Sequence, residues 1–253
     1  MLRTTNYKAK NILILSDIHG NYSALNGVFK NIEWDSVKGM ILLGDLIDYG
    51  PSSNEVIGLL KEYQDIEIYC NIWGNHEQAI MTDAYDKFSS QRGKACAKHT
   101  KSVLSDATIQ YLKCMNQNGK AEFMLGNKKC LAVHGSLEDT FWKGIYPGKM
   151  DNDYSEYDYV FSGHSHREHF FSLFYKNNNL EYRNEKRTIF INPGSVGQPR
   201  NHNPAASYAI LNVENEEINF KKVNYDIEAE QAKFSDKVNE FYKTRLELSL
   251  IHI

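Results

Sequence analysis

In LILSDIHG, residues 13–20, four mostly aliphatic residues run straight into a carboxylate and an imidazole with one residue between them. The aliphatic run reads as a buried strand. Along extended chain, residues i and i+2 point to the same side, so Asp17 and His19 can aim at one point.

The same device recurs along the chain. Short apolar runs ending in Gly or in a potential metal ligand stand at NILILSD (11–17), MILLGD (40–45), IEIYCNIWGNH (66–76), CLAVHG (130–135), YVFSGHSH (159–166) and TIFINPG (188–194). Runs of this composition predict strands buried on both faces. Between the first of them, Tyr22 to Ile32 and Asn54 to Tyr63 carry apolar residues at helical spacing, and Asn21 is placed to cap the first helix. Alternating strand and helix predicts βαβ units and a parallel sheet. Right-handed crossovers then bring successive strand ends to one edge, where α/β proteins bind ligands. Asp17, Asp45, Asn75, His134 and His164 are expected to meet there.

Farther along, the pattern changes. Residues 78–117 turn helical and more polar, with Ser105 or Asp106 as an N-cap, and read as a helical insertion beside the site. KAEFMLGNKKCLAV predicts a hairpin around Gly126 and Asn127, and FFSLFYKNNNLEYR another around residues 177–179. SYAILNV and EINFKKVNY add a strand pair. Ile227, Phe234, Val238, Phe241 and Leu246 mark a last amphipathic helix over about 226–248. The later half is more antiparallel, which predicts two sheets packed together with helices outside, in one domain over 1–253.

Composition sets the class. At 253 residues, 42% hydrophobic and 24% charged, the chain is an ordinary globular protein and can bury a substantial core. A net charge of −3 offers no basic surplus for a nucleic-acid backbone, so a nucleic-acid partner is disfavoured. The four cysteines (Cys70, Cys96, Cys114, Cys130) have no paired spacing and read as reduced thiols of a cytoplasmic protein. The apolar run before Ser16 is too short for a signal-peptide core, and no segment reaches the length of a membrane span.

Singly, each polar strand ending has a plain structural use as a cap, a turn or a hydrogen-bonded core residue. Their conjunction does not, because five of the nine histidines and three short polar residues fall at the same kind of strand ending. Two carboxylates, an amide and several imidazoles form a mixed O/N donor set suited to Mn, Fe, Zn or Ni, with no Cys to suggest a structural zinc. Seven donors exceed the need of one ion. Two divalent ions about 3.5–4 Å apart, bridged by a carboxylate, would use them all and steady an in-line displacement at phosphorus.

DIHGN (17–21), GDLID (44–48), GNHE (74–77), HG (134–135) and GHSH (163–166), in this order, resemble the calcineurin-like metallophosphoesterase family. NPGSVGQPR (192–200) is similar to its small bacterial and archaeal members, some of them phosphodiesterases or dinucleoside-polyphosphate hydrolases. The resemblance implies an α/β fold, a four-layer α/β/β/α sandwich of two mixed sheets flanked by helices. It also implies that Asp17, His19 and His166 hold one metal, that Asn75, His134 and His164 hold the other, and that Asp45 bridges them. Manganese is the first expectation among the metals. His76 would lie near the leaving oxygen, either protonating it or stabilising its charge. Three positions depart from the family pattern: Trp73 stands where Arg is frequent, Asp48 where a small residue is common, and Asn201 where an acid follows Arg200.

Arg200, on a Gly- and Pro-rich turn, is a candidate phosphate contact or a solvated loop residue. Trp142, with Phe141 and Tyr146, could stack a base, with loop packing as the simpler reading. His99, His169, His202 and His252 read as surface or loop histidines. The function expected is hydrolysis of a small phosphorylated substrate, nucleotide-like, with no membrane partner and homo-oligomerisation left open. A protein phosphatase or nuclease on the same site, and a non-catalytic metal-stabilised interaction module, are the alternatives.

Overall fold

Odd and even residues of strand β1 (Asn11–Leu15) point into two different cores. Leu13 and Leu15 face one layer and Ile12 and Ile14 another, and all four are fully buried. Period-two alternation with both faces apolar requires cover on both sides of the sheet. The computed structural model describes residues 10–149, 152–176 and 186–249 and shows how that cover is built.

The first sheet gathers β1, β2 (Val37–Leu42), β3 (Glu67–Asn71), β9 (Ala206–Asn212) and β10 (Glu217–Val223) in the order β10-β9-β1-β2-β3. Its β1, β2 and β3 are parallel, and β9 and β10 are antiparallel additions. The second sheet orders β4 (Lys120–Leu125), β5 (Lys128–Val133), β6 (Tyr159–Ser162), β8 (Arg187–Pro193) and β7 (Glu168–Phe174) as β4-β5-β6-β8-β7. Here β5, β6 and β8 are parallel. Ile12, Ile14 and Ile41 of the first sheet meet Ala132, Phe161 and Ile191 of the second, so the two sheets pack face to face.

Helices α1 (Tyr22–Lys30) and α2 (Ser53–Glu62) cover the outer face of the first sheet, burying Leu25, Val28, Val56 and Leu60 against Leu13 and Leu42. Asn21 caps α1 by accepting from the Ala24 amide at 3.0 Å, as its position predicts. Ile145, Tyr154 and Tyr157 pack on Leu131, Val160 and Phe190 at the outer face of the second sheet. The fold is thus two mixed five-stranded sheets flanked by helices.

Within the segment 78–117, α3 (Asn75–Met81) ends and α4 (Gln91–Val103) and α5 (Asp106–Cys114) follow, with Ser105 capping α5 through the Thr108 amide. The hairpin at Gly126 and Asn127 joins β4 to β5. Residues 177–179, expected at a second hairpin tip, lie outside the described residues, as does His252; β7 pairs antiparallel with β8.

Two expectations need correction. The single helix expected over 226–248 is two helices, α6 (Ile227–Gln231) and α7 (Glu240–Leu248). Short polar side chains break it: Ser235 Oγ accepts from the Lys237 amide, and Asn239 caps α7 through the Phe241 amide. His169, read as a surface or loop residue, sits half-buried on β7 with its Nε2 buried, and burial lowers its pKa to about 4. His99 is half-buried on α4, and His202 is exposed on a loop. All four cysteines are free, three of them buried. Among the described residues, no helix is long and apolar enough to cross a membrane.

Candidate metal centre

Beyond the ends of β1 and β2, the two strands keep pairing through their loops. The amides of Asp17, His19 and Gly20 donate to the carbonyls of Gly44, Asp45 and Leu46 at 3.1, 2.8 and 2.9 Å. This continued ladder sets the DIHGN and GDLID loops side by side. In it, Asp17, His19 and Asp45 adopt φ of 52°, 50° and 52°, and His164 and His166 adopt 64° and 56°. A non-glycine residue in this region costs about 1–2 kcal/mol, and Asp and His are among the residues that tolerate it. Five strained residues in one place mark a site whose side-chain directions matter more than local backbone comfort.

Both carboxylates are held by a backbone amide at one oxygen and turn the other toward imidazole nitrogens. Asp17 Oδ2 accepts from Ser16 Oγ at 2.6 Å and from the His164 amide at 3.2 Å. Its Oδ1 is buried with no hydrogen-bond partner and faces His166 Nε2 at 3.3 Å and His19 Nε2 at 3.9 Å. Asp45 Oδ1 accepts from the His76 amide at 2.9 Å. Its Oδ2 faces His134 Nε2 at 3.3 Å, His19 Nε2 at 3.6 Å and His76 Nε2 at 4.0 Å.

The imidazoles are oriented in the same way. His134 Nδ1 donates to the Leu43 carbonyl and His166 Nδ1 to the Gln198 carbonyl, each at 2.7 Å. A neutral ring that donates from Nδ1 presents a lone pair at Nε2. For His134 that lone pair faces Asn75 Oδ1 at 3.0 Å, and for His166 it faces His19 Nε2 at 3.1 Å. His164 Nδ1 lies 3.0 Å from the same Asn75 oxygen. Acceptors thus converge on acceptors, an arrangement that a cation relieves.

The electrostatics agree with this geometry at His19 and His166, whereas at His134 an imidazolium paired with Asp45 takes the place of a cation. Burial holds His19 and His166 well below the ordinary imidazole value, in the neutral form a metal needs. Burial also pushes Asp17 up to about 6. Burial works against a proton on His134, but the Asp45 carboxylate outweighs it and raises the ring to about 9. Asp17, His19, Asp45 and His166 each offer one ligand atom, all within 4.8 Å of one another. The donor set therefore fits a divalent ion. Asn75, His134 and His164 form a second convergent group next to it, with Asp45 Oδ2 between the two.

All seven candidate ligands come together at the strand ends. Six of them are at most 3% exposed, and His164 is partly open to solvent. His76 adjoins them, its Nδ1 donating to Asp48 Oδ2 at 2.7 Å. Asp48 Oδ1 in turn accepts from Thr100 Oγ1 of α4 at 2.6 Å. Burial opposes protonation of His76, but Asp45 and the hydrogen-bonded Asp48 outweigh it and raise its pKa. Trp142 is half-buried, edge-on to Phe88 at 5.5 Å, and Phe88 meets His76 at 5.0 Å. Phe141 packs against Gly119 and the core, and Tyr146 is 44% exposed. Arg200 is half-buried, its amide donating to the His166 carbonyl at 3.3 Å.

Sequence reasoning passed over several supports. Glu77, fully buried, accepts from the amides of Asp45, Leu46, Ile47 and Gly74 at 2.7–3.2 Å and so holds the Asp45 loop. An acid three residues after the glycine that opens α3 was its signal. Tyr49, at φ 62°, lays its ring 4.7 Å from His19 and 4.3 Å from His76. NPGSVGQ clamps the ligand loops: Asn192 Nδ2 donates to the Gly163 carbonyl, and Ser195 Oγ donates to the Asp17 carbonyl.

Comparison with known proteins places this geometry in a wider group. A model of the calcineurin-like phosphoesterase superfamily domain matches residues 11–216. An uncharacterized protein of Methanocaldococcus jannaschii is 28% identical over 243 residues, covering 93% of this chain and 96% of its own length. The crystal structure of a metallophosphoesterase from Sphaerobacter thermophilus superimposes with a TM-score of 0.72 at 26% identity, over 96% of this chain and all of its own. A symmetrical bis(5'-nucleosyl)-tetraphosphatase of Coxiella burnetii is 32% identical over 77 residues, 30% of this chain and 25% of that enzyme.

Proposed function

This chain belongs to the calcineurin-like phosphoesterase superfamily and is a metal-dependent phosphoesterase hydrolase, and we propose that it hydrolyses small, nucleotide-like phosphoesters or phosphoanhydrides on a pair of divalent ions. Asp17, His19 and His166 would hold one ion and Asn75, His134 and His164 the other. Asp45 would bridge them, with manganese the first expectation. One observation carries the reading: Asp45 Oδ2 lies 3.6 Å from His19 and 3.3 Å from His134, one member of each group.

Such a pair of ions supplies charge for both the attacking and the leaving oxygen of an in-line displacement. The chain's own residues do the rest. His76 is fixed by Asp48 through Nδ1, so its Nε2 is the atom that faces the site and can pass a proton to the departing oxygen. A pKa raised by Asp45 and Asp48 keeps that proton available. His164, the partly exposed ligand, marks the side from which substrate enters.

Nucleotide preference is supported by the similarity to the Coxiella tetraphosphatase and by aromatic side chains on two sides of the site, Trp142 behind His76 and Tyr146 beside Gly144 and His164. Arg200 is the candidate phosphate contact. Free, buried thiols at Cys70, Cys96 and Cys130 suit the cytoplasmic location included in this reading.

Purified protein loaded with Mn²⁺ and assayed against bis-p-nitrophenyl phosphate, p-nitrophenyl phosphate, a dinucleoside polyphosphate and a phosphopeptide tests the proposal. Turnover highest in kcat/KM for the nucleotide is expected. Bound metal with no turnover of any ester would make the chain an interaction module, and preference for the phosphopeptide would make it a protein phosphatase.

A further inference from the structure

Among the described residues, four strands end the two sheets: β10 and β3 the first, β4 and β7 the second. An edge strand offers unpaired backbone groups to any other strand, and charges or irregularities along it are the usual protection. Exposed Glu217, Lys221 and Lys222 stand on β10, and exposed Lys120 and Glu122 on β4. The five-residue β3 opens on exposed Glu67, and its register on β2 shifts. β7 is built differently. Over seven residues its register on β8 runs without a shift, it holds no Pro, and the side chains it exposes are Phe170 and Phe174, at 52% and 59%.

The backbone of β7 is poised for a further strand. The Tyr175 amide donates to the Lys186 carbonyl at 3.0 Å, so in this register the odd residues exchange bonds with β8 and the even ones, Phe170, Ser172 and Phe174, turn theirs outward. The side chains of these even residues lie on the inner face of the sheet, since Phe170 stands opposite Ile191 and Ser172 opposite Ile189, both of the core between the sheets. Glu168 at the start of the strand reaches Lys222 of β10 at 3.2 Å, and Phe220 of β10 is only partly buried. The core between the sheets therefore ends open at β7, with two phenylalanines past its cover.

This edge is complementary to itself. With Ser172 on a two-fold axis, an antiparallel copy sets Phe170 opposite Phe174 and Glu168 opposite Lys176, and the outward amides and carbonyls of the even residues meet in hydrogen-bonded pairs. A parallel copy in register would instead set Glu168 against Glu168 and Lys176 against Lys176. We propose that β7 pairs antiparallel with β7 of a second copy of this chain, joining the two five-stranded sheets into one of ten strands across a two-fold axis. Each copy buries the other's Phe170 and Phe174, and Lys176 of one joins Lys222 at the Glu168 carboxylate of the other. The interface does not depend on the chemistry of the metal centre.

Analytical ultracentrifugation of the full-length protein over about 1–100 μM tests this, in wild type, Phe170→Lys and Ser172→Pro. Wild type is expected to reach twice the mass of one chain within that range. Both variants should raise the dissociation constant at least about tenfold, Phe170→Lys by setting a charge on the apolar edge and Ser172→Pro by removing an amide that bonds no strand within the copy. A thermal melt checks the fold of each, and if Ser172→Pro does not fold, Phe170→Lys is read alone. Ser172→Cys, in a Cys114→Ser background that removes the exposed thiol, reads the register. Residues paired on the axis lie about 5.5 Å apart at Cα, within reach of a disulfide, so mild oxidation should yield a covalent dimer. A wild type that stays monomeric at about 100 μM, a dissociation constant within about twofold of wild type in either folded variant, or a dimer that Ser172→Cys does not cross-link overturns the proposal.

Discussion

His76 and Asp48 are joined by a 2.7 Å hydrogen bond in which the imidazole Nδ1 donates and a fully buried carboxylate accepts. Asp48, where the resemblance leads one to expect a small residue, fixes the ring and leaves Nε2 toward Asp45 at 4.0 Å. His76→Ala is expected to keep both metals and lose about 10²–10⁴ in kcat, the usual range for a general acid or base. The loss should be smaller with p-nitrophenolate as leaving group than with an alkoxide. Asp48→Asn should show the same leaving-group dependence at lower amplitude, with KM changed little. Equal losses across leaving groups in both variants would remove the proton-transfer role.

Asp45→Asn tests the bridge. Burial and packing of the aliphatic strands build the core, so the fold should persist while metal content falls below two ions and turnover is nearly lost. Metal analysis beside a thermal melt reads both. Activity within a few-fold of wild type at unchanged metal content would sink the bridging assignment.

Glu77→Gln tests how the Asp45 loop is held. One carboxylate accepts four backbone amides there, and an amide side chain would set its NH₂ against some of them. A buried donor left unsatisfied costs about 1–3 kcal/mol. In a chain of this size each kcal/mol lowers Tm by about 2–4 °C. We expect that loss together with weaker metal binding, and an unchanged metal affinity would show that the loop holds without Glu77.

Glu230→Gln separates the C-terminal strap, α6 and α7, from the ligand loops. It weakens the docking of α6 on the first turn of α1, where Glu230 accepts from the Tyr22 and Ser23 amides and from Ser23 Oγ at 2.6 Å. Stability should fall by about 1–3 kcal/mol while both metals stay bound. Loss of metal in parallel with stability would mean that the strap and the ligand loops unfold as one unit.

Much of the fold was legible in the sequence. Alternation at Ile12, Leu13, Ile14 and Leu15 foretold a sheet covered on both faces, and ligand types repeated at strand ends foretold one shared edge. Local signals also placed Asn21 and Ser105 as caps. What stayed hidden depends on long-range contact. The Asp48 carboxylate meets His76 only because α3 begins beside the GDLID loop. Tyr242, some two hundred residues from Asp17 in sequence, stacks on Tyr49 because the chain breaks between α6 and α7 and turns α7 back onto it. The periodicity of 226–248 gave no sign of that break, since Phe234 and Val238 keep apolar spacing through it and pack on the same cluster as Tyr242.

Anomalous diffraction at the manganese edge from a Mn-loaded crystal tests the central claim most directly. The account predicts two peaks about 3.5–4 Å apart with Asp45 Oδ2 between them, one against Asp17, His19 and His166 and the other against Asn75, His134 and His164. A single peak, or a second peak away from Asn75, His134 and His164, would contradict it.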